Sequence, residues 1–202
     1  MNQSEINRVL RLVEEFEEDG VRFLQDMIKA RSENPPGEYD AIVGVVEPKM
    51  KDFGFEPEVV DCIPLRDMET ILGMEEITPE FKEWIEKGDL PPELQFNINL
   101  VSRKLNIVGR MRGTSEGRTL IFNAHMDTVP EGEGWSVSPF EGIVKDGKVF
   151  GRGAGDNKGG IAIALTAARA VKEARVDLKG DIIFAFTADE EVGSHAGAAF
   201  LI

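Results

Sequence analysis

Asp181-Ile182-Ile183-Phe184-Ala185-Phe186-Thr187-Ala188-Asp189-Glu190-Glu191 is the stretch that decides how this chain is read. The near-continuous apolar run of residues 182–186 suits a strand buried on both faces, as in a sheet sandwiched by helices. Carboxylates follow it at once. Open α/β sheets collect ligands beyond the carboxyl ends of their strands. Glu190 and Glu191 therefore fall where a ligand would be met. Adjacent glutamates there can divide labour: one ligates a metal ion while the other takes a proton from water that the metal has acidified. A solvated acidic pair is the other reading, usual on a helix surface but less so directly after a buried strand.

Working outward, two further segments carry comparable chemistry. A strand predicted over 119–124, with the apolar run Leu120-Ile121-Phe122, leads into His125-Met126-Asp127-Thr128-Val129-Pro130. A neutral imidazole is a good zinc ligand. Asp127, two residues on, would fix its tautomer by reaching the other ring nitrogen. The third segment, Gly151-Arg152-Gly153-Ala154-Gly155-Asp156-Asn157-Lys158-Gly159-Gly160, follows a hairpin and opens a helix predicted over 157–174. Its glycines let the backbone come close to a bound group. The two oxygens of Asp156 could bridge two metals about 3.5–4 Å apart, or the residue could be a plain helix cap shared with Asn157. The loop does not fit nucleotide patterns. Gly153 is followed three positions on by Asp156 where dinucleotide binding needs glycine, and Asn157-Lys158-Gly159 is not the Gly-Lys-Ser/Thr of a phosphate loop.

The remaining chain reads as scaffold. Apolar residues at helical spacing predict an amphipathic helix from Ser4 to about Arg31, interrupted at Gly20, and Asn34-Pro35-Pro36-Gly37 is a stop signal. A second helix is expected to start near Glu38 and to end or kink at Pro48. Strands are expected over 56–60, 96–101 and 106–112. Asp146-Gly147 should turn a hairpin within 142–150. The stretch 62–96, with a short helix capped by Thr78, reads as a surface insertion. A last helix should begin near Ser194. The fold expected is therefore α/β: a three-layer α/β/α arrangement with a mostly parallel, mixed sheet flanked by helices.

A formal net charge of −14 repels phosphate backbones and argues against nucleic-acid binding. The single cysteine, Cys62, allows no disulfide within the chain, which fits a reducing cytoplasm, and neither histidine is near it in sequence to make it a nucleophile. The opening residues show no secretory signal, and no apolar run is long enough to span a bilayer, so no membrane partner is expected.

Together the three segments, with Trp135 and Pro139-Phe140 between them, resemble the zinc-dependent aminoacylase and carboxypeptidase family that includes acetylornithine deacetylase, succinyl-diaminopimelate desuccinylase and glutamate carboxypeptidase. The resemblance is clear from about Asn106 onward. It implies that His125 ligates one metal, Asp127 orients it, Asp156 bridges two divalent ions, Glu191 ligates the second, and Glu190 is the general base. Zinc is the metal implied, with cobalt or manganese as alternatives. The reaction implied is hydrolysis of an amide in an N-acyl amino acid or small peptide, and deacylase and dipeptidase are not separated. The family's further acidic ligand, its C-terminal histidine and its lid or dimerisation domain have no counterpart here, and His195 reads as a surface residue. The expectation is thus an N-terminal part, residues 1–202, of a catalytic domain whose full-length form could pair as a homodimer. A catalytically inactive remnant lacking two metal ligands is the alternative.

Overall fold

The computed structural model describes residues 2–62, Pro79 and 103–202. The strand expected over 96–101 and most of the insertion at 62–96 lie outside the described residues. Helices α1 (Gln3–Glu15), α2 (Glu17–Lys29) and α3 (Asp40–Asp52) precede strands β1 (Glu58–Asp61), β2 (Leu105–Met111) and β3 (Leu120–His125). A hairpin of β4 (Ile143–Lys145) and β5 (Lys148–Phe150) follows, then α4 (Lys158–Glu173), β6 (Ile182–Thr187), a single 3-10 turn (Glu190–Val192) and α5 (Ala198–Leu201).

The first helix breaks at Phe16, not at Gly20. Phe16 is buried, with the Arg169 guanidinium 3.9 Å above its ring, so its position is set by packing. Gly20 lies inside α2, where an added Cβ would sit 2.8 Å from Thr166 Oγ1 of α4. Its role is close helix–helix approach. Pro48 does not end α3 either. The helix runs on to Asp52, with Val46 and Met50 fully buried on either side of the proline. Packing of that apolar face outweighs the one hydrogen bond that proline removes. The hairpin turns at Asp146 and Gly147, both at positive φ (51° and 70°), as the Asp-Gly pair predicts. The last helix starts at Ala198, later than expected, because residues 190–197 are spent on turns around the site.

The main sheet has the order β1-β2-β6-β3. It is mixed, as expected, but among the described strands it is not mostly parallel. β2 runs antiparallel to both β1 and β6, and only β3 and β6 are parallel. A parallel pair needs a crossover, and α4 provides the one that links β3 to β6. α3 packs on β2 and α4 on β3, while α2 touches both helices, so these three share one face of the sheet. The core lies between them, built from Met27, Ile42, Met50, Ile107, Met126, Ile161, Leu165, Phe184 and Phe186. Residues of β3 that point to the other face are open, Ile121 being 60 % exposed.

The β3–β6 register places the site. His125 pairs with Thr187, so both strands end at the same rim and release their next residues side by side. β2 enters at that rim, since Ile107 pairs with Phe186. Asn106 is therefore delivered to it too.

Candidate metal centre

All five residues singled out from sequence converge at this rim. His125 is 5 % exposed. Its Nδ1 lies 3.0 Å from the backbone carbonyl oxygen of Asp127 and 3.5 Å from that residue's Oδ1. Asp127 thus reaches the ring first through its main chain. Nδ1–H donating to that carbonyl leaves Nε2 to face the cluster, where it lies 2.9 Å from Asp156 Oδ1 and 3.6 Å from Glu190 Oε2. His125, Glu190 and Glu191 each offer a ligand atom, and these atoms lie within 4.8 Å of one another. His195, by contrast, is exposed and outside that group.

Asp127 is fully buried and organises the loop that follows β6. Its Oδ1 accepts from the Glu190 N–H at 3.3 Å, and its Oδ2 accepts from the Glu191 N–H at 3.3 Å and from Asn34 Nδ2 at 3.0 Å. Glu191 Oε1 in turn accepts from Val129 N at 3.2 Å. The first and third segments are thereby laced together by main-chain donors. Asp156 arrives on the glycine loop. A Cβ at Gly153, which has φ of 82°, would sit 2.8 Å from Thr128 Cγ2, so glycine is needed for this loop to lie against the His125 segment. Asn157, not Asp156, is the residue that opens α4, and its side chain makes no capping bond.

The electrostatics are those of a site with surplus negative charge. Burial works against the charged imidazolium of His125, but Asp127 and Asp156 outweigh it and push the pKa up to about 9. Burial likewise opposes ionisation of Asp127, yet hydrogen bonds from His125, Asn34 and the Glu191 amide hold its carboxyl below the usual range. Glu191 is raised by burial, with Asp127 and Asp156 adding repulsion. An imidazole nitrogen and several crowded carboxylate oxygens form a donor set suited to a divalent cation, whose charge would relieve that repulsion.

Sequence reasoning missed the polar layer beneath the cluster. Asp189, at φ 67°, is 5 % exposed, donates its N–H to Tyr39 Oη (2.9 Å) and accepts the Ala196 N–H (3.1 Å). Asn106 accepts from Ala188 N (2.8 Å), and its amide donates to Ala196 O (2.9 Å) and to Cys62 Sγ. Lys104, 1 % exposed, donates to Pro36 O at 2.9 Å. The one local signal was Asn34-Pro35-Pro36-Gly37, legible only as a helix stop.

The cluster lies at the strand ends of a mixed α/β sheet, where such sheets collect ligands. Residues 121–202 match the model described as peptidase family M20/M25/M40. The chain is 44 % identical over 92 residues to the N-formyl-4-amino-5-aminomethyl-2-methylpyrimidine deformylase of Bacillus subtilis, covering 44 % of this chain and 22 % of that protein. It is 51 % identical over 77 residues to the succinyl-diaminopimelate desuccinylase of Methylobacterium radiotolerans, covering 37 % and 20 %. The chain therefore spans about a fifth of the length of these two curated relatives. Among solved structures, the di-peptidase Dug1p of Saccharomyces cerevisiae superposes with a TM-score of 0.68 at 18 % identity, over 94 % of this chain and 36 % of that one. At that identity the likeness shows the fold alone. Among the described residues no helix is long and apolar enough to cross a membrane.

Proposed function

We propose that this chain carries the N-terminal part of the catalytic domain of a metal-dependent amidohydrolase acting on an N-acyl amino acid or small peptide. The observation that carries this reading is the convergence of His125, Glu190 and Glu191 within 4.8 Å at one rim, with Asp156 against the same imidazole nitrogen. His125, Asp156 and Glu191 would hold two divalent ions, zinc foremost and cobalt or manganese as substitutes. Such ions, when bound, polarise an amide carbonyl and make water acidic enough to attack near neutral pH.

The protein's own groups supply the rest. Glu190 is about half exposed and makes no hydrogen bond through its carboxylate among the described residues, so that carboxylate is free to take a proton from the attacking water. The same group, once protonated, is placed to hand the proton to the departing amine. Asp127 holds the imidazole by its carbonyl and the Glu190–Glu191 turn by its carboxylate, so ligand and base keep their relative positions. The printed activities of the two curated relatives, a deformylase and a desuccinylase, support removal of an acyl group from nitrogen as the reaction. The lone cysteine supports action in a reducing compartment, the cytoplasm.

Equilibrium dialysis against zinc or cobalt, followed by elemental analysis, tests the centre. Metal uptake is expected to be lost in His125→Ala and Glu191→Gln. Glu190→Gln should retain metal while lowering hydrolysis of N-formyl, N-acetyl and N-succinyl amino acids by about 10²–10⁴-fold. Uptake indifferent to His125→Ala would overturn the reading.

A further inference from the structure

We propose that Asn34 is a positioning residue of this centre: its side-chain amide clamps Asp127 to the loop after β6 and so fixes the imidazole and the two glutamates for cation binding. The inference rests on the metal-centre reading and adds a residue that lies far outside the three segments carrying it.

Asn34 is 1 % exposed. Its Nδ2 lies 3.0 Å from Asp127 Oδ2, 3.3 Å from Asp189 Oδ1 and 3.4 Å from Tyr39 Oη. One neutral amide therefore donates to two buried carboxylates, one from each of the loops that leave β3 and β6. Buried carboxylates at close quarters repel unless donors satisfy them. The Asn34 amide donates to both, with the Tyr39 hydroxyl beside it. The Asp127 oxygen it holds is the one that also accepts the Glu191 N–H, while the Asp127 carbonyl receives His125 Nδ1. Fixing that carboxylate therefore fixes a ligand on either side of it.

The main chain around the amide is equally constrained. Asn34 N donates to Thr128 O (2.8 Å) and Thr128 N to Ser32 O (3.1 Å), a parallel bridge beside the His125 segment, and Ser32 Oγ donates to Met126 O (2.7 Å). Residue 34 is thus aimed from both its main chain and its neighbours. Gly37, at φ 76°, closes the turn behind it. A Cβ there would collide with Lys104 Nζ and lie 2.8 Å from Asn34 Oδ1, so the lysine's charge sits close beneath the amide. Coulombic attraction to Asp189 and Asp127 keeps that lysine tied to the same network, against the burial that lowers its pKa.

The test compares wild type with Asn34→Leu, which keeps the branched side-chain skeleton and removes both donors, and Asn34→Ala. Cobalt affinity is measured at fixed pH by competition with a chelating indicator, together with the visible d–d spectrum and amide hydrogen exchange at Glu190 and Glu191. Loss of the clamp is expected to weaken cobalt binding about 10–100-fold, alter the d–d band and speed exchange at those two amides, with cooperative unfolding retained. An Asn34→Leu protein with wild-type affinity, spectrum and exchange would overturn the proposal. Should both variants fail to fold, the wild type decides: its Asn34 side-chain amide resonances must shift when zinc is added, and unmoved resonances refute the clamp. Cobalt uptake that His125→Ala leaves intact would instead bring down the metal-centre reading, and the proposal with it.

Discussion

His125 has its two ring nitrogens in different surroundings, Nδ1 on a main-chain carbonyl and Nε2 among carboxylates. In the metal-free protein its pKa is raised from 6.5 to about 9. A raised folded-state value means that the charged imidazolium stabilises the fold fully below about pH 6.5, and that this contribution is lost as pH rises through about 9. The difference in thermal midpoint between metal-free wild type and His125→Ala is accordingly expected to be largest near pH 6 and to shrink as pH rises to about 9.5, leaving the part due to the neutral ring's packing and its Nδ1 hydrogen bond; scanning calorimetry across that range checks it. Asp127→Asn offers a second test, because it turns one acceptor of the Glu190 and Glu191 amides into a donor facing donors. A loss of about 1–3 kcal/mol in urea unfolding is expected. At this scale the chemistry-bearing residues were legible, since each of the three segments is local and ends a strand or opens a helix. Asn34, Tyr39 and Asp189 were not legible as partners, because only the folded sheet brings the end of the first helical region against the loop after β6.

Between elements, Lys158 does what composition could not foretell. It is 1 % exposed at the start of α4, yet its Nζ reaches back to donate to Met27 O and Ala30 O, both at 2.9 Å, at the end of α2. The lysine thereby satisfies helix-end carbonyls that would otherwise be buried and unmet. Burial lowers its pKa to about 8, against the pull of Glu33 and Asp127. Lys158→Met should lose about 2–4 kcal/mol of stability at pH 7, read as a lower urea midpoint with an unchanged slope, since two charge-assisted hydrogen bonds disappear into a buried site. Gly20 and Pro48 show why helix boundaries were harder to read than helix existence. Both residues carry unfavourable intrinsic propensities. At Gly20 the close approach of α4 selects the glycine, and at Pro48 the buried face of α3 carries the helix past the proline, and neither fact is local.

For the molecule as a whole, the apolar strand runs announced a layered α/β fold, but not the direction of every strand, because the sequence between β1 and β2, irregular apart from one short helical pattern, carries no signal that sets their relative direction. β3 is an edge strand among the described residues, with Leu120, Ile121 and Phe122 at 52, 60 and 38 % exposure. An apolar edge of this kind is a template for pairing with another chain. Light scattering on the eluted protein is expected to show concentration-dependent self-association, which Ile121→Lys reduces without lowering the thermal midpoint, since that side chain lies on the open face.

The pairing of His125 with Thr187 has a last consequence. Strand side chains alternate faces, so sliding β3 by one position against β6 would turn the imidazole to the opposite surface and leave the glutamates without it. There is no half-built version of such a pocket. A cation added during refolding would then reward only the correctly threaded conformers, and the fraction of chains that capture it would serve as a census of correct threading.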